Sequence, residues 1–179
     1  MMDDFKKALI LRPLEPQDEA AFLAALQEWD SSPGFIFASG YVSTMKFADY
    51  VGLLTANARG EKLPQGYVPA TMLCAFVGNE IVGRISIRHH LNELLLKLGG
   101  HIGYGVLPKF RRNGYATEML SQALLYAKDL GIKKALLTCD DDNFASIKVI
   151  EKNGGKLENK VDAGGARPLK RRYWIDLNT

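Results

Sequence analysis

A single mixed α/β domain is the fold this sequence predicts, on three observations. Residues 70–77 and 80–88 are β-rich runs joined through Gly78-Asn79, a hairpin signal. Residues 101–139 run strand, helix, strand, and a helix between two strands lets the second lie parallel to the first. The chain has 179 residues, 47% of them apolar, which suits one globular domain spanning residues 1–179.

The elements follow in order. Ala8–Arg12 is a short apolar strand ended by Pro13. Pro16 opens a helix, where its missing N–H costs nothing, and Asp18 and Glu19 suit the first turn. Phe22, Ala25, Leu26 and Trp29 form that helix's apolar stripe. Residues 31–41, SSPGFIFASGY, read as a glycine- and aromatic-rich loop. Phe47, Tyr50, Val51 and Leu54 define a second helix closing near Gly60, and a loop with two glycines and two prolines leads to the hairpin. Residues 89–98 fit either a helical turn or a ledge before the next strand, His101–Val106.

Ala116, Met119, Leu120, Ala123, Leu124 and Ala127 then repeat at helical spacing, with Gly131 where a helix ends. Lys134–Cys139 is the next strand, expected parallel to the preceding one. Asp142 is expected to cap a helix over 143–152 that stops at Asn153-Gly154-Gly155. Two last strands, 156–161 and 167–177, are joined by a turn at 162–165.

Composition excludes several classes. Lys and Arg number 23 against 20 Asp and Glu, too small a margin to argue for nucleic acid. The opening MMDDFKK is acidic where a signal peptide is basic and then apolar, and no apolar run suggests a membrane span. Cys74 and Cys139 sit in apolar strands, so a reducing cytoplasm is the expected setting.

Chemistry concentrates between the strand at 101–106 and the following helix. Pro108, a basic run (Lys109, Arg111, Arg112) and Gly114 lie there. Such a turn gathers helix N-terminal N–H groups without partners, and the helix dipole adds positive potential, so it suits phosphate. A P-loop would need Lys-Ser or Lys-Thr where Tyr115 and Ala116 stand. The dinucleotide fingerprint breaks at Pro108.

What remains, Arg111-x-x-Gly114-x-Ala116 preceded by Val106-x-Pro108, resembles the pyrophosphate loop of the GNAT superfamily of acetyl-CoA-dependent N-acetyltransferases. Asn143-x-x-Ser146 and Glu151-Lys152-Asn153-Gly154 resemble that family's second block. The resemblance covers Gly99–Gly155 well and the N-terminal third in outline.

It implies a GNAT fold, with a mixed central sheet and helices on both faces. It also implies acetyl-CoA as cosubstrate, no metal, a small-molecule or peptide amine as acceptor, no nucleic-acid or membrane partner, and pairing into a homodimer as an option. Tyr104, Gly105 and Val106 would lend strand-edge groups to the pantetheine arm, with Gly103 and Gly105 fitting a bulge. The N–H groups of Arg111, Arg112, Asn113, Gly114, Tyr115 and Ala116 would hold the diphosphate, and Gly114 would keep a side chain from crowding it. Asn143 and Ser146 would complete the cofactor site.

The family's proton-donating tyrosine falls at Ile150, which cannot donate. Ser146, Tyr104, Tyr126 or water could replace it, or the thiolate could leave unassisted, since a thiol of pKa about 8.5 is a fair leaving group. A CoA-binding module without turnover is the rival reading. His101 is the candidate base for the incoming amine, against the alternative of a buried structural histidine. His89 and His90, with Arg88 and Asn92, would line the acceptor side, against the alternative of surface placement, while nothing singles out Glu28 or Glu93. Cys139 reads as core, Asp140–Asp142 as turn and cap, and Lys170-Arg171-Arg172 as charged protection of an edge strand.

Overall fold

A computed structural model describes residues 8–29, 35–61 and 63–178. The acidic opening and the 31–34 part of the predicted loop lie outside the described residues. Strands are β1 (Leu9–Arg12), β2 (Ala70–Val77), β3 (Glu80–Arg88), β4 (Ile102–Val106), β5 (Lys134–Asp140), β6 (Lys156–Val161) and β7 (Lys170–Asp176). Helices are α1 (Glu19–Glu28), α2 (Phe47–Ala58), α3 (Tyr115–Asp129) and α4 (Phe144–Lys152). The ambiguous stretch resolves as a wide helical turn, Leu95–Gly99, whose Leu95 N–H donates to Asn92 Oδ1 at 2.9 Å.

The strands form two antiparallel sheets, ordered β1-β2-β3-β4 and β5-β7-β6. Alternation along β2, β3 and β4 splits their side chains between two cores, because successive Cβ atoms point to opposite faces. Leu73, Ala75, Ile85, Ile87 and Ile102 meet α3 through Met119, Leu120 and Ala123. Met72, Cys74 and Phe76 meet an aromatic cluster on the other face, with Phe22 from α1, Phe37, and Phe47 and Tyr50 from α2. Helices therefore cover both faces of the first sheet.

Several expectations change. β4 and β5 share no ladder; they are joined where His101 N–H donates to Leu136 C=O at 2.7 Å. β4 is consequently an edge strand from Ile102 onward. No bulge occurs in β4, whose register with β3 is continuous from Gly83–Val106 to Ile87–Ile102. β7 lies between β5 and β6, so its basic run protects no edge. Those cations pair instead with acids on neighbouring segments: Lys170 Nζ lies 2.7 Å from Asp140 Oδ1, and Arg171 pairs with Asp141. Asp18 is not a free first-turn acid; it is buried and grips Arg12 of β1 at 2.6 and 2.8 Å. That guanidinium holds the Asp18 carboxyl below its ordinary pKa.

Candidate active site

The turn after β4 is built by backbone. Pro108–Phe110 makes one tight helical turn, and Arg111 Nε donates back to Val106 C=O at 3.1 Å. Asn113 Nδ2 pins the turn by donating to the carbonyls of Phe110 (3.1 Å) and Arg111 (3.2 Å). Arg112 (φ 65°) and Gly114 (φ 83°) are left-handed. Glycine suits this conformation at 114, and a Cβ there would meet no protein atom within 4 Å, so the space above the turn is open. Gly114 caps α3, and its C=O accepts from Thr117 and Glu118. Among the described residues, the N–H groups of Arg112, Asn113, Gly114 and Ala116 donate to no protein atom. They sit on exposed or half-exposed residues at the positive end of a 15-residue helix. Their arrangement suits an anion of several oxygens.

β4 continues the row of donors. Leu107 N–H donates to Val82 C=O, and Arg88 N–H to His101 C=O. Antiparallel alternation then turns the main-chain groups of Gly103 and Gly105 toward β3 and those of Tyr104 and Val106 toward the open edge. Two of the three expected strand-edge residues, Tyr104 and Val106, therefore present main-chain groups there; Gly105 does not. Its glycine has another cause. A Cβ at 105 would stand 2.6 Å from the Trp29 ring and 2.7 Å from that of Phe35.

Opposite this edge stands α4. Asn143, not Asp142, is its cap, with Oδ1 accepting from Ser146 N–H at 3.0 Å. Tyr104 Oη lies 3.5 Å from Ser146 C=O, which ties β4 to the first turn of α4 and places Ser146 beside the edge. Burial pushes the Tyr104 phenol up to about 12, so it stays protonated. The Ser146 side chain also hydrogen-bonds the Tyr104 phenol, which works against the effect of burial. Ile150 is buried in the core against α3 and the sheet.

His101 is buried, and its Nδ1 accepts from Leu136 N–H at 2.9 Å. Desolvation, aided by the charge of Arg88, lowers its pKa to about 4. A neutral ring whose Nδ1 lone pair is engaged carries its proton on Nε2. It has no lone pair left for an ammonium proton, and its bonds are those of a clasp between β4 and β5. On the acceptor side, His89 Nε2 lies 2.9 Å from Thr71 Oγ1. Asn92 is occupied at both ends, donating to Gly66 C=O at 2.9 Å and capping the 95–99 turn. His90 is exposed. Cys139 is buried with its thiol pushed up to about 11, a core thiol.

Trp29, Phe35 and Arg84, which the sequence reading did not assign to a site, lie around β4 together with Arg88, which it placed on the acceptor side. Arg84, Ser86 and Arg88 alternate along β3, facing Gly105 and Gly103 on the α1–α2 side of the sheet. Polar residues at every second place of an apolar strand, two of them arginines, were the available signal. Arg84 is 6% exposed and donates to Phe37 C=O (2.8 Å), Ser86 Oγ (2.8 Å) and Ile36 C=O, under the Phe35 ring at 4.4 Å. A guanidinium so placed fixes the 35–37 segment, since leaving any of its donors unpaired would be costly.

An edge strand that runs into a helix start with unpartnered N–H groups, beside the first turn of a second helix, is an arrangement that suits a long ligand ending in phosphates. The family model for the GNAT acetyltransferase domain matches residues 8–156, and the chain belongs to that family. No curated protein matches the chain.

Solved structures with the same fold include an acetyltransferase of the GNAT family from Bacillus anthracis. It is 22% identical, with 96% of each chain covered and a TM-score of 0.63. RimL, a ribosomal alpha-N-protein acetyltransferase solved with coenzyme A, is also 22% identical (94% of this chain, 93% of that one, TM-score 0.63). The microcin self-immunity acetyltransferase MccE, solved with acetyl-CoA and AMP, is 16% identical (94% and 92%, TM-score 0.66). At these identities the likeness is one of fold. No helix among the described residues is long and apolar enough to cross a membrane.

Proposed function

We propose that this chain moves the acetyl group of acetyl-CoA to a primary amine by direct attack in a ternary complex, working as one domain. One observation carries the reading. The outward main-chain groups of Tyr104 and Val106 run on into the unpartnered N–H groups of 112–114 and 116. A thioester cosubstrate supplies an activated acetyl group and a thiolate that leaves readily.

The residues do the rest. The diphosphate is held by the N–H groups of the turn and by Tyr115 and Ala116 at the start of α3, with Arg111 and Arg112 adding attraction. The edge of β4 takes the pantetheine arm as an added strand would. The Val106 N–H polarises the acetyl carbonyl, a fixed donor needing no reorganisation. Ser146 donates a hydrogen bond to the departing sulfur, and Asn143 sets its place by capping α4. Positioning contributes much of the rate. The amine attacks as its free base and its proton passes to water, His101 being occupied as a clasp.

The buried Ile150 favours the rival, a CoA-binding module without turnover. Thiol release from acetyl-CoA across an amine panel separates the two. Calorimetry with CoA tests the binding they share. Release above the uncatalysed rate supports the transferase, binding alone supports the module, and absence of CoA binding sinks both.

A further inference from the structure

The acceptor side of β4 carries two guanidinium groups that no carboxylate answers. Arg84 and Arg88 point to the same face of β3, and among the described residues neither lies within ion-pair distance of an acid. Arg84 has spent its donors on Phe37, Ile36 and Ser86, and acts only through its field. Arg88 is different. Its Nη1 donates to Gly100 C=O at 3.0 Å and Gly99 C=O at 3.3 Å, and its Nε and Nη2 have no acceptor among the described residues. Those two atoms form the side-on edge of the fork, whose parallel N–H bonds match two oxygens of one carboxylate.

The end of the guanidinium sits over a glycine. Arg88 Nη1, Arg88 Nη2 and the Phe35 ring lie 3.9, 4.0 and 3.9 Å from the point where a Gly103 Cβ would stand. Burial lowers the Arg88 pKa with no acid raising it again, the condition of a cation short of a counter-charge.

We infer that the amine acceptor carries a carboxylate, which the Nε–Nη2 edge of Arg88 binds beside Phe35. The inference rests on the transferase reading for the identity of the acceptor, though not for the existence of the anion site. Gly103 and Val106 are three residues apart on β4, about 10 Å of strand. The spacing between carboxylate and amine is therefore a variable to scan. A carboxylate rather than a phosphate is the fit, since one guanidinium edge offers two donors and a phosphate dianion calls for more charge.

The test uses the full chain. Thiol release from acetyl-CoA is measured with free α-amino acids and ω-amino acids of increasing length, each beside its carboxamide and its decarboxylated amine, with phosphoethanolamine as the phosphate arm. The carboxylate members are expected to lead their neutral partners at least tenfold in kcat/KM. Arg88→Gln is expected to erase that lead through acceptor KM while the KM for acetyl-CoA holds. Arg88→Lys, which keeps the charge and loses the fork, is expected to restore only part of it.

Equal use of neutral and carboxylate amines overturns the inference and leaves the transferase standing. So does equal weakening of all acceptors by Arg88→Gln, or preference for phosphoethanolamine. Thermal shifts with the same compounds, with and without CoA, read binding where turnover is absent. Protection by carboxylate amines in a protein that ignores CoA would support the anion site and sink the transferase. Protection by no carboxylate amine, with CoA bound and nothing turned over, overturns the inference.

Discussion

The two halves of the site are made of different material. On the side proposed for the cofactor, residues 104–116 offer main-chain N–H groups held in place by a proline, a left-handed arginine and a left-handed glycine. On the side proposed for the acceptor, Arg84, Arg88, Trp29 and Phe35 offer side chains brought together from β3 and the end of α1. The first half needs only the right backbone angles, which a short sequence window sets. The second exists only once α1 and the segment after it have folded onto the sheet. Substitutions should therefore act differently: in the turn through occupancy of its open space, on the other face through packing and charge.

The largest effect is expected from Gly114→Glu. A side chain there enters the space above the unpaired N–H groups and brings negative charge to a phosphate site. Loss of acetyl-CoA binding by at least a hundredfold in calorimetry is expected, with the fold retained. The strain at φ 83° costs only ~1 kcal/mol. Unchanged affinity would remove the turn from the site.

Next, Ser146→Ala should lower kcat roughly ten- to a hundredfold with little change in either KM, if the hydroxyl meets the departing sulfur and not the resting complex. An equal loss in KM would reassign Ser146 to binding. Gly105→Ala sharpens the contrast from the other side. Its methyl would meet Trp29 at 2.6 Å and Phe35 at 2.7 Å, so stability should fall by about 1–3 kcal/mol in urea unfolding. Acceptor KM should rise more than acetyl-CoA KM.

His101 gives a pH signature. Its folded pKa, about 4, lies below the ordinary 6.5, so the unfolded chain takes up a proton first as pH falls. The clasp's contribution is full above pH 6.5 and drains away toward pH 4, a loss on the order of 2 kcal/mol. In His101→Gln that slope in urea titrations should flatten, while the rate above pH 7 still follows the acceptor amine's own pKa. A rate inflection near pH 6–7 that vanishes in the variant would restore His101 as the base. Smallest of all, Arg111→Ala with Arg112→Ala should weaken acetyl-CoA binding several-fold at low salt and almost nothing at high salt, since both residues are exposed.

The elements were legible because their signals are local. Helical spacing from Ala116 to Ala127, the Gly78-Asn79 hairpin and the glycines closing α3 and α4 each lie within a few residues of what they specify. The turn between β4 and α3 was legible for the same reason. Asn143 rather than Asp142 as the cap, and β7 between β5 and β6 rather than at an edge, were not. A cap is chosen by one residue's backbone angles, and strand order by pairings across dozens of residues.

The chain alone determined most of the elements, through periodicity and spacing, and the family, through the resemblance of its motifs. Only the folded molecule decided that Tyr104 and Val106, and not Gly105, face the open edge. It alone showed that His101 is a clasp with its Nδ1 lone pair engaged, and that Arg84 and Arg88 share a face with no ion-paired acid among the described residues. Those facts depend on register and on which side chain reaches which partner, quantities that come into being when distant segments meet.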